Sequence, residues 1–350
     1  MRKSNLAVNG SKRNISLDVA RVFALCCVMM IHSSSFFVAK SEPGSLGFIS
    51  GNIFDSLSRV GVPIFVMISG ALLLDENKQK SFKDMLRAAG NTVFLLAVWS
   101  VIYAVAFDLV SPLIHGENVS IVGFVKSVIA GQVHFWYLYM LIALYLATPF
   151  LRSFVKKENK DMVLFYIALS LMFVFFRPFI SMLAGLNDKF DFANALLDKF
   201  HADFFSGFAA YYLTGWYVVH IGIKKSLRRL LYVTGAISAA GTVVLMHIFG
   251  DYENIYIDTN ILTFTASVAV FTAINSIHFN KYPKSLALLS KLSFGMYIVH
   301  IMINKPAQFL LSGLNPVVHI LLRFAIVFVL SFVISFVLSK IPTVKKIVRV

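Results

Sequence analysis

The chain has 350 residues, 58% of them hydrophobic and 14% charged, with a mean hydropathy of +0.77. A soluble fold could not cover so much apolar surface, since ordinary soluble domains hold roughly 45–50% apolar and about 25% charged residues. The net charge of +15 sits in small Lys/Arg clusters between apolar runs, a pattern of membrane-flanking loops that argues against a nucleic-acid partner.

A spanning helix with its loop takes roughly 30–35 residues. The expected fold class is therefore all-α, a polytopic membrane helix bundle of about ten transmembrane helices. Hydropathy places them at 15–38, 52–74, 88–109, 133–151, 162–183, 203–222, 230–249, 259–278, 289–311 and 317–340. The expected organisation is a tail at 1–14, one membrane domain at 15–340 and a tail at 341–350, with no soluble domain. Connections on one side carry 23 of the 32 Lys and Arg, among them Arg2, Lys3, Arg13 and Arg349. The other side has only Lys40, Lys126, Lys189 and Lys199. This asymmetry predicts that both termini are cytoplasmic and that the bilayer surrounds the domain.

The first span reads SLDVARVFALCCVMMIHSS. Asp18 is within ion-pair reach of Arg21, three residues on. Arg21 and His32, eleven residues apart, share a helix face and are separated by about 16 Å along the axis. His32 titrates near neutral pH and is a candidate proton acceptor. The adjacent Cys26 and Cys27 cannot close a relaxed disulfide. No cleavage pattern follows this span, so it is expected to be retained.

In the second span Arg59 precedes GVPIFVMISG, where Gly61, Pro63, Ser69 and Gly70 interrupt the helix. Small residues there permit close helix packing, or the freed backbone lines a cavity. Arg59 favours the cavity. The third span opens on LRAAGNT, whose one basic residue is Arg87. The fourth opens on His134, at a depth similar to His32, so the two could share acid and base duties. With Trp136, His134 could equally belong to an interfacial aromatic belt. His300, in LSFGMYIVH, falls near mid-depth and reads as a site residue or as a buried, hydrogen-bonded histidine. Arg177 and Lys305 are expected to snorkel to the headgroups, and Arg323 is balanced between that and an interior position. Phosphate loops, HExxH, GxSxG and Cys/His metal spacings are missing, so no metal is expected.

Four segments in order, LDVAR followed ten residues later by His32, GVPIFVMISGALLL, HFWYLYMLIALYLATPF and LSFGMYIVH, resemble the acyltransferase-3 family of integral-membrane O-acyltransferases. The chain is especially similar to the enterobacterial common antigen O-acetyltransferase branch. The resemblance implies a bacterial inner-membrane enzyme with no bound cofactor. It would take acetyl from acetyl-CoA, its acyl-CoA co-substrate, on the cytoplasmic side. The acceptor would be a hydroxyl of a lipid-linked or surface glycan (lipopolysaccharide, common antigen or exopolysaccharide). His32 would be catalytic and Arg21 its partner in the motif. Asp18, Arg59, Ser69, Arg87, His134, Trp136 and His300 are the supporting candidates. Many members carry two closely spaced basic residues where this chain has Arg87 alone, and the extracytoplasmic hydrolase-like domain of larger relatives is not expected here. A polysaccharide transporter or flippase, whose path the same charges would line, and a non-catalytic membrane sensor remain as alternatives.

Overall fold

In the computed structural model, which describes residues 7–8, 11–12, 14–78, 80–116, 118–184, 187, 189–200, 202, 205 and 207–348, the membrane helices begin at a side-chain cap. Asn14 Oδ1 accepts the N–H groups of Ser16 and Leu17 at 3.1 and 3.4 Å, satisfying donors that a helix start leaves open. α1 then runs Ile15–Lys40, followed by α2 (Leu46–Ser58) and α3 (Gly61–Leu73). Next comes α4 (Phe82–Ala104), started by a Ser81–Asp84 capping box and continued by π-helical Val105–Val110 into α5 (Ser111–His115). α6 (Ile121–Ala130) and a 3-10 turn, Val133–Phe135, lead into α7 (Trp136–Phe154). α8 (Lys160–Ser170) continues through Leu171–Phe175 to α9 (Arg177–Ala184), and α10 covers Lys189–Asp198. α11 (Ala209–Trp216) is extended by Tyr217–Ile221, and α12 (Lys225–Phe249), α13 (Tyr252–Ile255) and α14 (Ile261–Ser276) follow. α15 (Lys284–Leu310) and α16 (Pro316–Leu338) complete the bundle. Among the described residues the sole strand pairing joins Ala7–Val8 to Ser11–Lys12. Arg2, Lys3, Arg13 and Arg349, used above for orientation, lie outside the described residues.

Among the described residues eight helical stretches are long and apolar enough to cross a membrane, which makes the chain an all-helical, multi-pass membrane protein. The expected spans at 203–222 and 259–278 become shorter helices, α11 with its extension and the 16-residue α14. Both lie inside the bundle, where neighbouring helices rather than lipid surround them. Every residue from Ala210 to Trp216 is buried, and α14 packs against α12, α3 and α1. A helix walled by protein need not match the thickness of the bilayer.

α1 is the central element, packing on α2, α3, α14, α15 and α16. Its small residues make this possible: Ala20 and Ala24 are fully buried, and a Cβ at Gly61 of α3 would lie 2.9 Å from Cys27 Cβ and 3.0 Å from the Ala24 carbonyl oxygen. The same close approach joins α3 to α11. A Cβ at Gly70 would fall 1.8 Å from the Tyr212 carbonyl oxygen, and one at Gly215 would fall 1.9 Å from that of Met67. The glycines of GVPIFVMISG therefore serve backbone-to-backbone packing, and the cavity expected on the strength of Arg59 is not what they form. The helix break itself lies earlier, at Arg59 and Val60, between α2 and α3.

The described part of the C-terminal segment, to Val348, packs back on the bundle. Lys345–Ile347 forms a 3-10 turn, the Ile347 carbonyl accepts the Trp99 indole N–H at 2.8 Å, and Val348 is fully buried.

Because the Gly70 and Gly215 contacts leave no room for a methyl group, Gly70→Ala should lower the thermal midpoint in detergent by at least 5 °C, of the order that overpacking by about 1–3 kcal/mol produces. Gly90→Ala, where a Cβ meets nothing within 4 Å, should leave the midpoint unchanged or slightly raised. Equal midpoints for Gly70→Ala and wild type would refute the tight α3–α11 crossing.

Candidate active site

Three histidines from three separate elements meet at the end of the bundle where α1 finishes. His32 of α1 and His300 of α15 have ring centroids 5.0 Å apart, His134 of the 3-10 turn is 5.2 Å from His300, and His32 and His134 are 6.5 Å apart. The long, closely packed pair α1 and α15 sets His32 against His300. His134 is brought in by the chain reversal before α7. Gly131 closes α6 with φ +69°, and a Cβ there would meet the Phe135 ring at 3.0 Å and Ser100 Oγ at 3.1 Å. The turn is then pinned from two sides. The Tyr297 hydroxyl donates to the His134 carbonyl, and Phe135, fully buried, packs edge-on against Tyr103. The Tyr103 hydroxyl in turn donates to the Ile298 carbonyl at 2.8 Å.

Hydrogen bonding assigns one tautomer. His300 Nδ1 faces the Tyr297 carbonyl, which can only accept, so the proton is on Nδ1 and Nε2 carries the lone pair. That Nε2 is buried without a partner, as are both ring nitrogens of His134. His32 keeps accessible surface, whereas His134 and His300 have almost none. Buried imidazole nitrogens without partners are costly to leave open, and here they cluster in three rings whose centroids lie 5.0–6.5 Å apart. Among the described residues no three His, Cys, Asp or Glu side chains converge as a metal-ligand set.

Arg59 stands within electrostatic reach of His32. It is held by Asp55 (Nε–Oδ1 2.7 Å, Nη2–Oδ1 2.5 Å), by the Tyr256 carbonyl at 3.1 Å and by the Tyr256 ring, 4.1 Å from its guanidinium carbon. The nearby Asp258, in the turn between α13 and α14, has its carboxyl pushed up to about 6 by burial, against the pull of Arg59. Asp55 Oδ2 has no partner.

Arg21 belongs to the other end of α1. It donates to Asp18 Oδ1 at 2.8 Å and Ser290 Oγ at 2.9 Å, while Asp18 also accepts from Ser290 and the Tyr282 hydroxyl at 2.5 Å. The Asp18–Arg21 pair expected from their spacing is thus present, and it ties α1 to α15. Arg87 points outward, 74% exposed and 3.6 Å from Asp84. Ser69 donates to the Phe65 carbonyl at 3.0 Å, a bond within its own helix. Trp136 is exposed and stacks on Phe208, 5.5 Å away, rather than on a histidine. His134, by contrast, is 2% exposed and so is no part of a surface belt. Arg177 is exposed and paired with Asp198, and Lys305 is exposed with its ammonium 4.1 Å from the Phe107 ring, but Arg323 is 2% exposed and lies inside.

Arg323 reveals a group that no motif marks. It donates from Nε to the Asn304 carbonyl at 3.2 Å, from Nη2 to Asn304 Oδ1 and, at 2.9 Å, to Gln308 Oε1, and from Nη1 to the Ser33 carbonyl at 3.4 Å. The signal available in the sequence is the four-residue spacing of His300, Asn304 and Gln308, which puts three polar side chains along one face of an apolar helix. Arg152 is a second such residue. It clamps the end of α3 through the Leu73, Asp75 and Lys78 carbonyls at 2.6, 3.3 and 2.6 Å.

The family model described as an acyltransferase domain, Acyl_transf_3, matches residues 14–340, nearly the whole chain. No curated protein and no solved structure matches it.

The buried Asp55–Arg59 pair gives a direct test of the site's architecture. Asp55→Ala strands a buried guanidinium and should destabilise the fold by about 3–5 kcal/mol. Asp55→Leu combined with Arg59→Met should recover most of that loss in the same denaturation measurement. Additive losses in the double variant would show that the two side chains are not coupled.

Proposed function

The chain belongs to the Acyl_transf_3 acyltransferase family and is a membrane acyltransferase; from that premise we propose that it moves acetyl from acetyl-CoA to a hydroxyl of a lipopolysaccharide, common-antigen or exopolysaccharide glycan. The observation that carries this reading is the meeting of His32, His134 and His300 in one cluster, with the lone pair of His300 Nε2 fixed and uncommitted. A group with a free lone pair near neutral pH is what removal of a hydroxyl proton requires.

In this reading His32, the one of the three that keeps accessible surface, is the general base. It takes the proton of the acceptor hydroxyl as that oxygen attacks the thioester carbonyl carbon. The tetrahedral adduct then collapses, the carbon–sulfur bond breaks, and the departing thiolate takes the proton from the imidazolium. Such base catalysis typically contributes about 10²–10⁴-fold. Arg21, with its own charge matched by Asp18, holds the donor end in register with α15, and the exposed Arg87 is offered to the coenzyme A phosphates as a charge-assisted partner. The acetyl-bearing arm reaches the histidines through the bundle. Both termini then lie in the bacterial cytoplasm, as the basic asymmetry of the connections supports.

His32→Ala should abolish acetylation of the glycan, measured as the acetyl mass increment with protein level matched by immunoblot. His134→Ala and His300→Ala should each cut it at least tenfold. Full acetylation by His32→Ala would remove the histidine mechanism and leave substrate transport without acyl-CoA consumption as the competing activity.

Orientation is tested separately. In a background with Cys26 and Cys27 replaced by serine, a cysteine placed at Ser312 should react with an impermeant reagent added to intact spheroplasts. A cysteine at Ser153 should react only after lysis, and the reverse pattern would overturn the assignment.

A further inference from the structure

Arg323 is a buried cation whose hydrogen-bond partners are all neutral. Its acceptors are two carbonyls and two side-chain amides, and among the described residues no carboxylate pairs with it. The other two interior arginines described above differ, since Arg21 has Asp18 and Arg59 has Asp55. A guanidinium in a membrane-enclosed interior pairs with a counter-charge or with backbone carbonyls, and Arg323 has only the second kind of partner together with amides. This one is held rigidly: Nε and both Nη2 donors are engaged by Asn304 and Gln308, so the side chain cannot swing to seek an anion.

The orientation of the Asn304 amide is decided by the same contact. Arginine has only donors, so Asn304 must turn Oδ1 toward it and Nδ2 away. Nδ2 is buried and has no acceptor. Asn304 lies one turn beyond His300 on the same face of α15, and the Ser33 carbonyl reached by Arg323 Nη1 belongs to the residue after His32. Arg323 acts electrostatically on His32 itself. Among the described residues a fixed positive charge without an anion and, one helix turn from His300, an amide donor without an acceptor thus stand beside the histidine cluster.

We infer that Asn304 and Arg323 form the oxyanion side of the histidine centre, Asn304 Nδ2 donating to the negative oxygen of the tetrahedral adduct and Arg323 supplying the charge and positioning that amide. The inference rests on the acyl-transfer reading above. As the hydroxyl oxygen bonds to the thioester carbon, the carbonyl π pair moves onto its oxygen. The buried charge at Arg323 is then matched for the first time, and collapse of the adduct returns that pair to the carbonyl as the thiolate leaves. Donors set in place beforehand and aimed at charge that exists only in the transition state lower the barrier without tightening substrate binding.

The test uses the full chain in vesicles made from the producing cell's membrane, with acetyl-CoA as donor and the membrane's own glycan as acceptor, and reads coenzyme A release. Asn304→Asp is nearly isosteric. It gives Arg323 a carboxylate partner, which cancels the field, and replaces the amide donor by an acceptor. A loss of kcat of about 10²–10³-fold, with KM for acetyl-CoA within twofold and a thermal midpoint no lower than wild type, is the expected result. A role for Asn304 in structure alone predicts retained turnover, because the new ion pair would hold Arg323 at least as firmly. If Asn304→Asp does not accumulate as folded protein, the comparison passes to Arg323→Lys and Arg323→Gln. Both should lose kcat rather than KM, with the lysine variant at least tenfold more active because it keeps the charge. Coenzyme A release by Asn304→Asp within threefold of wild type, or equal rates for Arg323→Gln and wild type, overturns this inference alone. Wild-type protein that releases no coenzyme A overturns the acetyl-CoA reading and this inference with it.

Discussion

A charge inside a membrane-enclosed bundle must be satisfied by the protein around it, and three interior arginines of this chain show three outcomes of that constraint. Arg21 is neutralised by Asp18 one turn away and cross-linked to Ser290. Arg59 is neutralised by Asp55 and covered by Tyr256. Arg323 is solvated by amides and carbonyls but not neutralised. The first two resemble structural ties, each joining helices that are far apart in sequence. The third keeps its full charge beside the histidine centre, where a neutralised arginine would exert little field.

Much of this architecture follows from helix geometry that a sequence displays. The three-residue step from Asp18 to Arg21 is enough to foretell their pair, and the amphipathic logic of hydropathy recovers the long helices. The meeting of His32 with His134 and His300 is another matter. Matching depth suggests the first pairing, but His300 reads as a mid-depth residue because counting along α15 says nothing of how far that helix is shifted against α1. Its place is fixed by the Ser290–Asp18 bond at the far end, a contact between residues 272 positions apart. Likewise, Gly70 and Gly215 each look like a helix defect alone. Only their facing backbones show that they are one crossing. Hydropathy also cannot tell that α14 is walled by protein, since a helix buried in protein is as apolar as one bathed in lipid.

Non-helical backbone is tolerated at membrane depth only where protein covers it, and here aromatic hydroxyl and indole groups provide the cover. Tyr297 holds the His134 carbonyl, Tyr211 that of Asp258 at 2.6 Å and Trp99 that of Ile347. These donors are long enough to cross from a helix to a joint elsewhere in the chain, and their rings add burial on the way.

This division has a consequence for the site. His32 and His300 stand on two long helices packed side by side, so their separation is set by the bundle itself. His134 stands on a single 3-10 turn whose position depends on Gly131 and on the Tyr297 hydroxyl. Two histidines and the Arg323–Asn304 pair thus rest on α1, α15 and α16, the rigid side, and one histidine rests on the joint that precedes α7. In the proposed acyl transfer, precision is needed where the proton and the oxyanion are handled, and the groups assigned to those steps, His32, Asn304 and Arg323, are the ones built on the long helices.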